Sequence, residues 1–108
     1  MRVGYIRTST EKQINGIEQQ QNDIQRYCEF KRCELADSFI DFGVSGGTDE
    51  RQQFQKMMKM VNQGLITEIV ITELSRWGRN LGDCINNLNI LKKKGVNLIC
   101  LKENIDLN

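Results

Sequence analysis

The spacing of apolar residues changes several times along the chain, and these changes predict its secondary structure. Short runs rich in β-branched and aromatic residues predict four strands, at 2–6, 35–42, 66–73 and 96–101. Between them, apolar residues three or four positions apart predict three helices: 17–32, one from an N-cap at Asp49 to Gly64, and one from Leu81 to Gly95. Residues 102–108 show neither spacing.

The alternation of strands and helices indicates the fold class. The order β-α-β-α-β-α-β is typical of α/β proteins, in which helical crossovers connect parallel strands. We therefore expect a three-layer sandwich, with a mostly parallel four-stranded sheet and helices on both faces. The 108 residues match the size of one domain, and a hydrophobic content of 39% is enough to form a core.

Composition excludes several classes of protein. The longest apolar runs hold only a few residues, so no membrane span is expected, and no signal-peptide pattern opens the chain. The absence of histidine excludes a histidine general base and any histidine-ligated metal site within the chain. The four cysteines form no C-x-x-C pair, so we expect reduced, mostly buried thiols in a cytoplasmic protein.

Charge alone does not indicate a nucleic-acid-binding protein, because the net charge is only +1. The distribution of polar residues is more informative. Open parallel sheets bind ligands at the carboxyl ends of their strands, and three predicted loops bring polar residues to that edge. They are Arg7 and Ser9 after the first strand, Asp41, Ser45 and Arg51 after the second, and Ser75, Arg76 and Arg79 after the third.

Four arginines at one edge favour a site for a phosphate or a carboxylate, because guanidinium groups donate paired, charge-assisted hydrogen bonds to such anions. A single loop arginine is often simply solvated, and a single serine more often caps a helix or forms a turn. An arginine cluster can, however, stabilise phosphoryl transfer without a metal. Ser9 directly follows the first strand, so it is the candidate nucleophile beside the cluster.

Several ordered motifs resemble those of the serine recombinases, the resolvase/invertase family. The segments that carry the resemblance are 5–13 (YIRTSTEKQ), 17–20 (IEQQ), 41–46 (DFGVSG), 50–51 (ER) and 74–80 (LSRWGRN). Together they extend over nearly the whole chain. The opening motif, together with Ser75-Arg76-Trp77-Gly78-Arg79, favours a resemblance to the large integrase and transposase branch of that family.

The resemblance implies site-specific DNA recombination. Ser9 would attack a DNA phosphodiester, forming a 5′-phosphoserine link and freeing a 3′-hydroxyl. The residues that would hold the scissile phosphate are Arg7, Arg76, Arg79 and, from beyond a loop at 43–48, Arg51. The positions that match pocket-lining or orienting residues of the family are Gln13, Gln19, Asp41 and Ser45. The covalent link conserves the bond energy, so the resemblance implies no metal and no other cofactor.

The resemblance also implies a larger assembly. Residues 1–108 would be the catalytic domain, truncated before a long dimerisation helix and a DNA-binding domain, and strand exchange would occur within a dimer or tetramer of the full-length protein. We expect this fragment alone to fold but not to recombine DNA. The 43–48 loop contains three glycines and is expected to be mobile without DNA, so that Arg51 closes only on a bound phosphate.

Two positions depart from the family pattern, and two other functions stay open. Ser75 stands where many members carry aspartate, and Gly16 stands where a small hydroxyl residue often starts the helix. One alternative is a resolvase-like module that only oligomerises or regulates. It is disfavoured because Ser9 and the four arginines are all present. The other is a flavodoxin-like phosphate-binding domain, which is disfavoured because no strand is followed by a glycine-rich phosphate loop.

Overall fold

The computed structural model describes residues 1–8, 14–42, 51–78 and 80–108. The strands are β1 (Arg2–Arg7), β2 (Asp37–Asp41), β3 (Glu68–Ile71), β4 (Asn97–Cys100) and β5 (Ile105–Asp106). The helices are α1 (Ile14–Lys31), α2 (Gln52–Asn62) and α3 (Leu81–Lys94), and a short 3₁₀ turn covers Leu74–Arg76. None of these helices is both long enough and apolar enough to cross a membrane.

The strands form one sheet in the order β2-β1-β3-β4-β5. The first four are parallel to their neighbours, whereas β5 runs antiparallel to β4. The predicted α/β fold with a mostly parallel sheet is confirmed, but the prediction of four strands was wrong. The fifth strand has only two residues, too few to give an alternating pattern, and it forms because β4 offers it a pairing edge.

Helices cover both faces of the sheet, and the alternation of side chains along β1 shows how. Val3 and Tyr5 point into a core that α2 and α3 complete, with Phe54, Met57 and Leu91 among its members. The next residue, Ile6, points to the opposite face, where it packs with α1 in a smaller core. The buried members of that smaller core are Ile6, Ile24, Cys28, Val70 and Ile99. The three-layer arrangement is therefore the observed one.

All four cysteines are free thiols, and Cys28 and Cys100 are buried. Burial raises the pKa of the Cys100 thiol to about 12. It also raises the pKa of the Cys28 thiol to about 11, with a further contribution from a hydrogen bond to Cys33. Cys84 is only partly buried. The buried thiols therefore act as small apolar side chains at neutral pH.

Two predicted helix starts were wrong. Helix α1 begins at Ile14, so Gly16 lies within its first turn and does not cap it. Helix α2 begins at Gln52 with Arg51 in the N-cap position, whereas the sequence favoured Asp49, a residue outside the described part of the chain. Asp49 has the residue type of a local cap, but the first turn of α2 is capped from another part of the chain, as described below.

Candidate active site

The carboxyl ends of three neighbouring strands form one edge of the sheet. Strand β1 lies between β2 and β3 and is parallel to both, so residues that follow these strands are neighbours in space. Arg7 ends β1 and is paired in register with Asp41, which ends β2. Ser75 and Arg76 lie in the turn after β3. The fold thus brings residues from the three predicted loops together.

Arg7 connects the end of β1 to the turn after β3. Its side chain is nearly buried, and Nη2 donates a hydrogen bond of 2.5 Å to the backbone carbonyl of Ser75. The Nε atom of Arg7 is buried and has no hydrogen-bond partner among the described residues. An unsatisfied buried donor of a charged group is costly, so this atom favours the approach of an anion.

Asp41 caps the first turn of α2, because the N-cap residue Arg51 makes no side-chain cap of its own. Its Oδ1 accepts a hydrogen bond of 3.0 Å from the backbone N–H of Gln53, and its Oδ2 accepts one of 3.0 Å from Phe54. The hydroxyl of Tyr5 also donates to Oδ2, at 2.8 Å. A carboxylate at this place satisfies two N–H groups of the first turn and interacts favourably with the helix dipole. Asp41 therefore fixes the start of α2 relative to the sheet.

Tyr5 shares the buried environment of Asp41. Burial, then the negative charge of Asp41 and the hydrogen bond to it, raise the pKa of Tyr5 above its ordinary value. The ring of Tyr5 contacts Phe54 edge-on at 5.1 Å between centroids, and Phe54 contacts Trp77 in the same way at 5.1 Å. These three rings form an apolar layer beneath the polar residues at the carboxyl edge of the sheet.

Arg51 lies at the start of α2 in a left-handed backbone conformation, with φ of 40°. This conformation is uncommon for residues other than glycine and is often found at functional sites. The side chain is only 5% exposed. Its Nη1 donates to the carbonyl of Trp77 at 2.7 Å, its Nη2 donates to Oδ2 of Asp83 at 2.9 Å, and its guanidinium carbon lies 3.9 Å from the centroid of the Phe54 ring.

Arg76 lies on a groove between α1 and the ends of β3 and β4. Its Nη2 forms an ion pair of 3.2 Å with Glu73, and Lys102 contacts the same carboxylate at 3.3 Å. Its Nε is buried and, like that of Arg7, lacks a partner within the described ranges. The groove has a volume of about 400 Å³, and Gln19 also lines it. Gln19 itself donates to Asp23 at 3.0 Å.

The turn that carries Arg76 is fixed by two neighbouring residues. Trp77 is fully buried in the larger core. Gly78 approaches the first turn of α3 so closely that a Cβ atom would lie 2.7 Å from the backbone nitrogen of Cys84. Only glycine fits such a contact without displacement of the backbone. The 74–78 turn therefore has little freedom to move relative to α3.

The structure describes five of the nine predicted site residues. The described ones are Arg7, Gln19, Asp41, Arg51 and Arg76. Ser9, Gln13, Ser45 and Arg79 lie outside the described residues, as does the 43–48 loop that was expected to be mobile. Among the described residues, no three side chains of the histidine, cysteine, aspartate and glutamate types are grouped so that they could hold a metal ion.

Gln20 and Asp83 were not among the predicted site residues. Gln20 is buried, and its Nε2 donates to the backbone carbonyl of Arg7 at 3.2 Å. It lies three residues after Ile17 and four before Ile24, so its helical spacing placed it on the buried face. Asp83 lies three residues after Asn80, a spacing typical of a capped helix start. Neither spacing indicates a contact with an arginine.

Comparison with known sequences gives a consistent result. Residues 2–108 match the family described as "Resolvase, N terminal domain". The Transposon Tn552 DNA-invertase BinR of Staphylococcus aureus is 32% identical over 108 residues, which are 100% of this chain and 50% of that protein. The DNA-invertase of Enterobacteria phage P7 is 29% identical over 106 residues, which are 98% of this chain and 51% of that protein. The chain thus spans about half the length of these relatives.

Solved structures share the fold. A resolvase family site-specific recombinase from Streptococcus pneumoniae superposes with a TM-score of 0.84 at 32% identity, covering 99% of this chain and 76% of that one. The N-terminal catalytic domain of TP901-1 integrase superposes with a TM-score of 0.87 at 24% identity, covering 98% of this chain and 82% of that one. At that lower identity, the second comparison concerns the fold alone.

Proposed function

The chain belongs to the resolvase N-terminal domain family, and from this premise we propose that it is the catalytic domain of a site-specific DNA recombinase. One observation of the structure carries the proposal. Arg7 from β1 and Arg51 from the start of α2 both donate to backbone carbonyls of the 73–77 turn, and Arg76 lies in that turn. Such a cluster is suited to an anion with several oxygens, as a DNA phosphodiester is.

The proposed reaction is a phosphoryl transfer to Ser9. The Ser9 Oγ attacks the phosphorus, the bond from phosphorus to the 3′ oxygen breaks, and the serine proton passes to solvent or to a nearby base while the 3′ oxygen gains one. The product is a 5′-phosphoserine link and a free 3′-hydroxyl. Attack of a 3′-hydroxyl on that link reverses the step and rejoins DNA, so the reaction needs no outside energy source.

The arginines stabilise the transition state in this proposal. The buried Nε atoms of Arg7 and Arg76 would donate to the oxygens of the scissile phosphate, where negative charge increases during transfer. Arg51 and Arg79 complete the set, and Arg51 acts from the position in which Trp77 and Asp83 hold it, without closing from a distance. The remaining pocket positions are Gln13, Gln19, Asp41 and Ser45. Asp41 acts indirectly, since its oxygens hold the first turn of α2 and the hydroxyl of Tyr5.

The proposal includes a larger protein and an assembly. Relatives that share the family are about twice as long as this chain, which supports a catalytic domain followed by a dimerisation helix and a DNA-binding domain. DNA is the partner, strand exchange takes place in a dimer or tetramer in the cytoplasm, and residues 1–108 alone do not recombine. The sequence motifs favour the large integrase and transposase branch.

Trapping of a covalent protein–DNA adduct tests the proposal. The full-length protein is incubated with a recombination-site DNA that carries a nick, so that the cleaved strand cannot be rejoined. We expect an adduct with the unaltered protein and none with Ser9→Ala. Ser38→Ala is the matched control, because Ser38 lies on β2 away from the carboxyl edge, and it should give the unaltered amount. An adduct with Ser9→Ala would overturn the assignment, and a protein that never forms one would favour the non-catalytic module.

A further inference from the structure

We infer that Asp83 is a positioning residue for the reaction, acting on the phosphate through Arg51. This inference rests on the proposed function. Asp83 is the third residue of α3, and its Oδ2 accepts the hydrogen bond of 2.9 Å from Nη2 of Arg51. The pair joins the first turn of α3 to the residue that precedes α2.

The Arg51 guanidinium is held from three directions. The carboxylate of Asp83 and the carbonyl of Trp77 accept hydrogen bonds from its two terminal nitrogens. The face of the group lies against the Phe54 ring, which is a favourable cation–π contact. Because a guanidinium is planar and its donors point in fixed directions, these contacts define both the position and the tilt of the group.

Asp83 is itself held in place. Its backbone N–H donates to the Asn80 side chain at 2.8 Å. Its second carboxylate oxygen accepts a hydrogen bond of 3.3 Å from Asn87, one turn further along α3. The orientation of the Asp83 carboxylate is therefore fixed, and this in turn fixes the orientation of the Arg51 guanidinium.

The charge of Asp83 matters as well as its shape. The Arg51 side chain is 5% exposed and that of Asp83 is 20% exposed, so the pair lies largely out of water. Removal of a counter-charge from a largely buried ion pair is strongly disfavoured, so loss of the Asp83 charge weakens the contacts that orient the Arg51 guanidinium. An amide at position 83 keeps an oxygen acceptor but removes the charge.

The ion pair also fixes the distance between two parts of the site. Arg51 precedes α2, whereas Arg76 lies in the turn that leads into α3. Since Nη1 and Nη2 of Arg51 bind on either side of Gly78, at Trp77 and at Asp83, Arg51 clamps that turn against α3. Loss of the clamp displaces Arg51 relative to Arg76, and displacements on the order of 1 Å at a reacting centre can lower rates about 100-fold.

The test measures single-turnover cleavage by the full-length protein bound to the nicked DNA. We expect Asp83→Asn to cleave about 10- to 100-fold more slowly, with DNA affinity nearly unchanged, and Asp83→Glu to recover part of the rate. Asp37→Asn is the matched charge control, because Asp37 is exposed on β2, and it should cleave at the unaltered rate. Ile24→Val lowers the stability of the domain in the smaller core, on the other face of the sheet from α2 and α3, so it separates loss of stability from loss of position.

A double-mutant cycle gives the decisive readout. If Asp83 acts through Arg51, then Asp83→Asn adds little to the defect of Arg51→Ala, and the two changes are non-additive. Additive defects, an unaltered rate for Asp83→Asn, or an equal loss in Ile24→Val would each overturn the inference. The proposed function fails separately, by adduct formation in Ser9→Ala, so the two failures are distinguishable.

Discussion

The starts of α2 and α3 are close in space but are stabilised in opposite ways. Helix α3 is capped locally, since the Asn80 side chain accepts from the backbone N–H of Asp83 three residues later. Helix α2 has no side-chain cap from its own N-cap residue, Arg51. Its first turn is capped by Asp41, which ends the preceding strand, 12 and 13 residues before the two N–H groups from which it accepts hydrogen bonds.

This difference shows which contacts position the start of each helix. The start of α3 depends on neighbours in sequence, so it can form whenever residues 80–83 adopt a helical turn. The start of α2 depends on β2 being in place, because Asp41 is paired in register with Arg7 of β1. Arg51, at the start of α2, is therefore positioned by the sheet on one side and by α3 on the other.

Removal of the distant cap should have the largest effect on stability. Asp41→Ala leaves two N–H groups of α2 and the Tyr5 hydroxyl without their acceptor, at a cost of about 3 kcal/mol in the free energy of unfolding. Urea denaturation of the isolated domain measures this cost. Asp37→Ala, at the exposed start of the same strand, should change it by about 0.5 kcal/mol or less. Equal effects of the two changes would contradict the capping role.

A side chain at position 78 should disturb the contact between the 74–78 turn and the first turn of α3. Gly78→Ala places a methyl group 2.7 Å from the backbone nitrogen of Cys84, and overpacking of this kind costs about 2 kcal/mol. Cleavage by the full-length protein should also fall, because the turn that bears Arg76 must shift. Gly82→Ala meets only Asn80, at 3.5 Å, and should be neutral or stabilising. A stable and fully active Gly78→Ala protein would rule out this account of the turn.

Removal of the local cap should cost less than removal of the distant one. Asn80→Ala loses one hydrogen bond at an exposed helix end, which lowers the free energy of unfolding by about 1 kcal/mol. Asn86→Ala, on the exposed face of α3, serves as the control and should have almost no effect. If Asn80→Ala destabilised the domain as much as Asp41→Ala, the two helix starts would not differ as proposed.

The smallest effect is expected at alkaline pH and concerns Tyr5. Its pKa is raised in the folded protein, so its contribution to stability is present below the ordinary tyrosine pKa of 10.0 and is lost as the pH rises beyond that value. The chain has two tyrosines. A titration of tyrosinate absorbance should show Tyr27 ionising in the folded protein and Tyr5 ionising only as the protein unfolds.

Tyr5→Phe is the control for that titration. It should leave only the Tyr27 step, and its stability should decline less steeply above pH 10.0. Ionisation of both tyrosines in the folded state would show that Asp41 does not lie in the buried environment described for it.

The sequence was sufficient to predict the fold class and the edge of the sheet at which Arg7 and Arg76 lie. Both depend on patterns that are local in sequence, namely the alternation of elements and the polar residues that follow strands. The start of α2 could not be predicted, because its cap, Asp41, comes from the end of β2 and not from the residues next to the helix. Gln20 and Asp83 were missed for the same reason, since each acts on an arginine distant in sequence. The fifth strand was missed because two residues cannot form a pattern.

The two edges of the sheet bear on how the domain avoids unwanted aggregation. An exposed edge strand offers unpaired backbone groups to which another chain can add, and natural proteins limit this by short strands and charged edge residues. One edge here is β5, which is only two residues long, and the other is β2, which begins with the exposed carboxylate of Asp37. Strand addition is therefore disfavoured at both edges, and copies of the domain that associate have their helices and turns as the available surfaces.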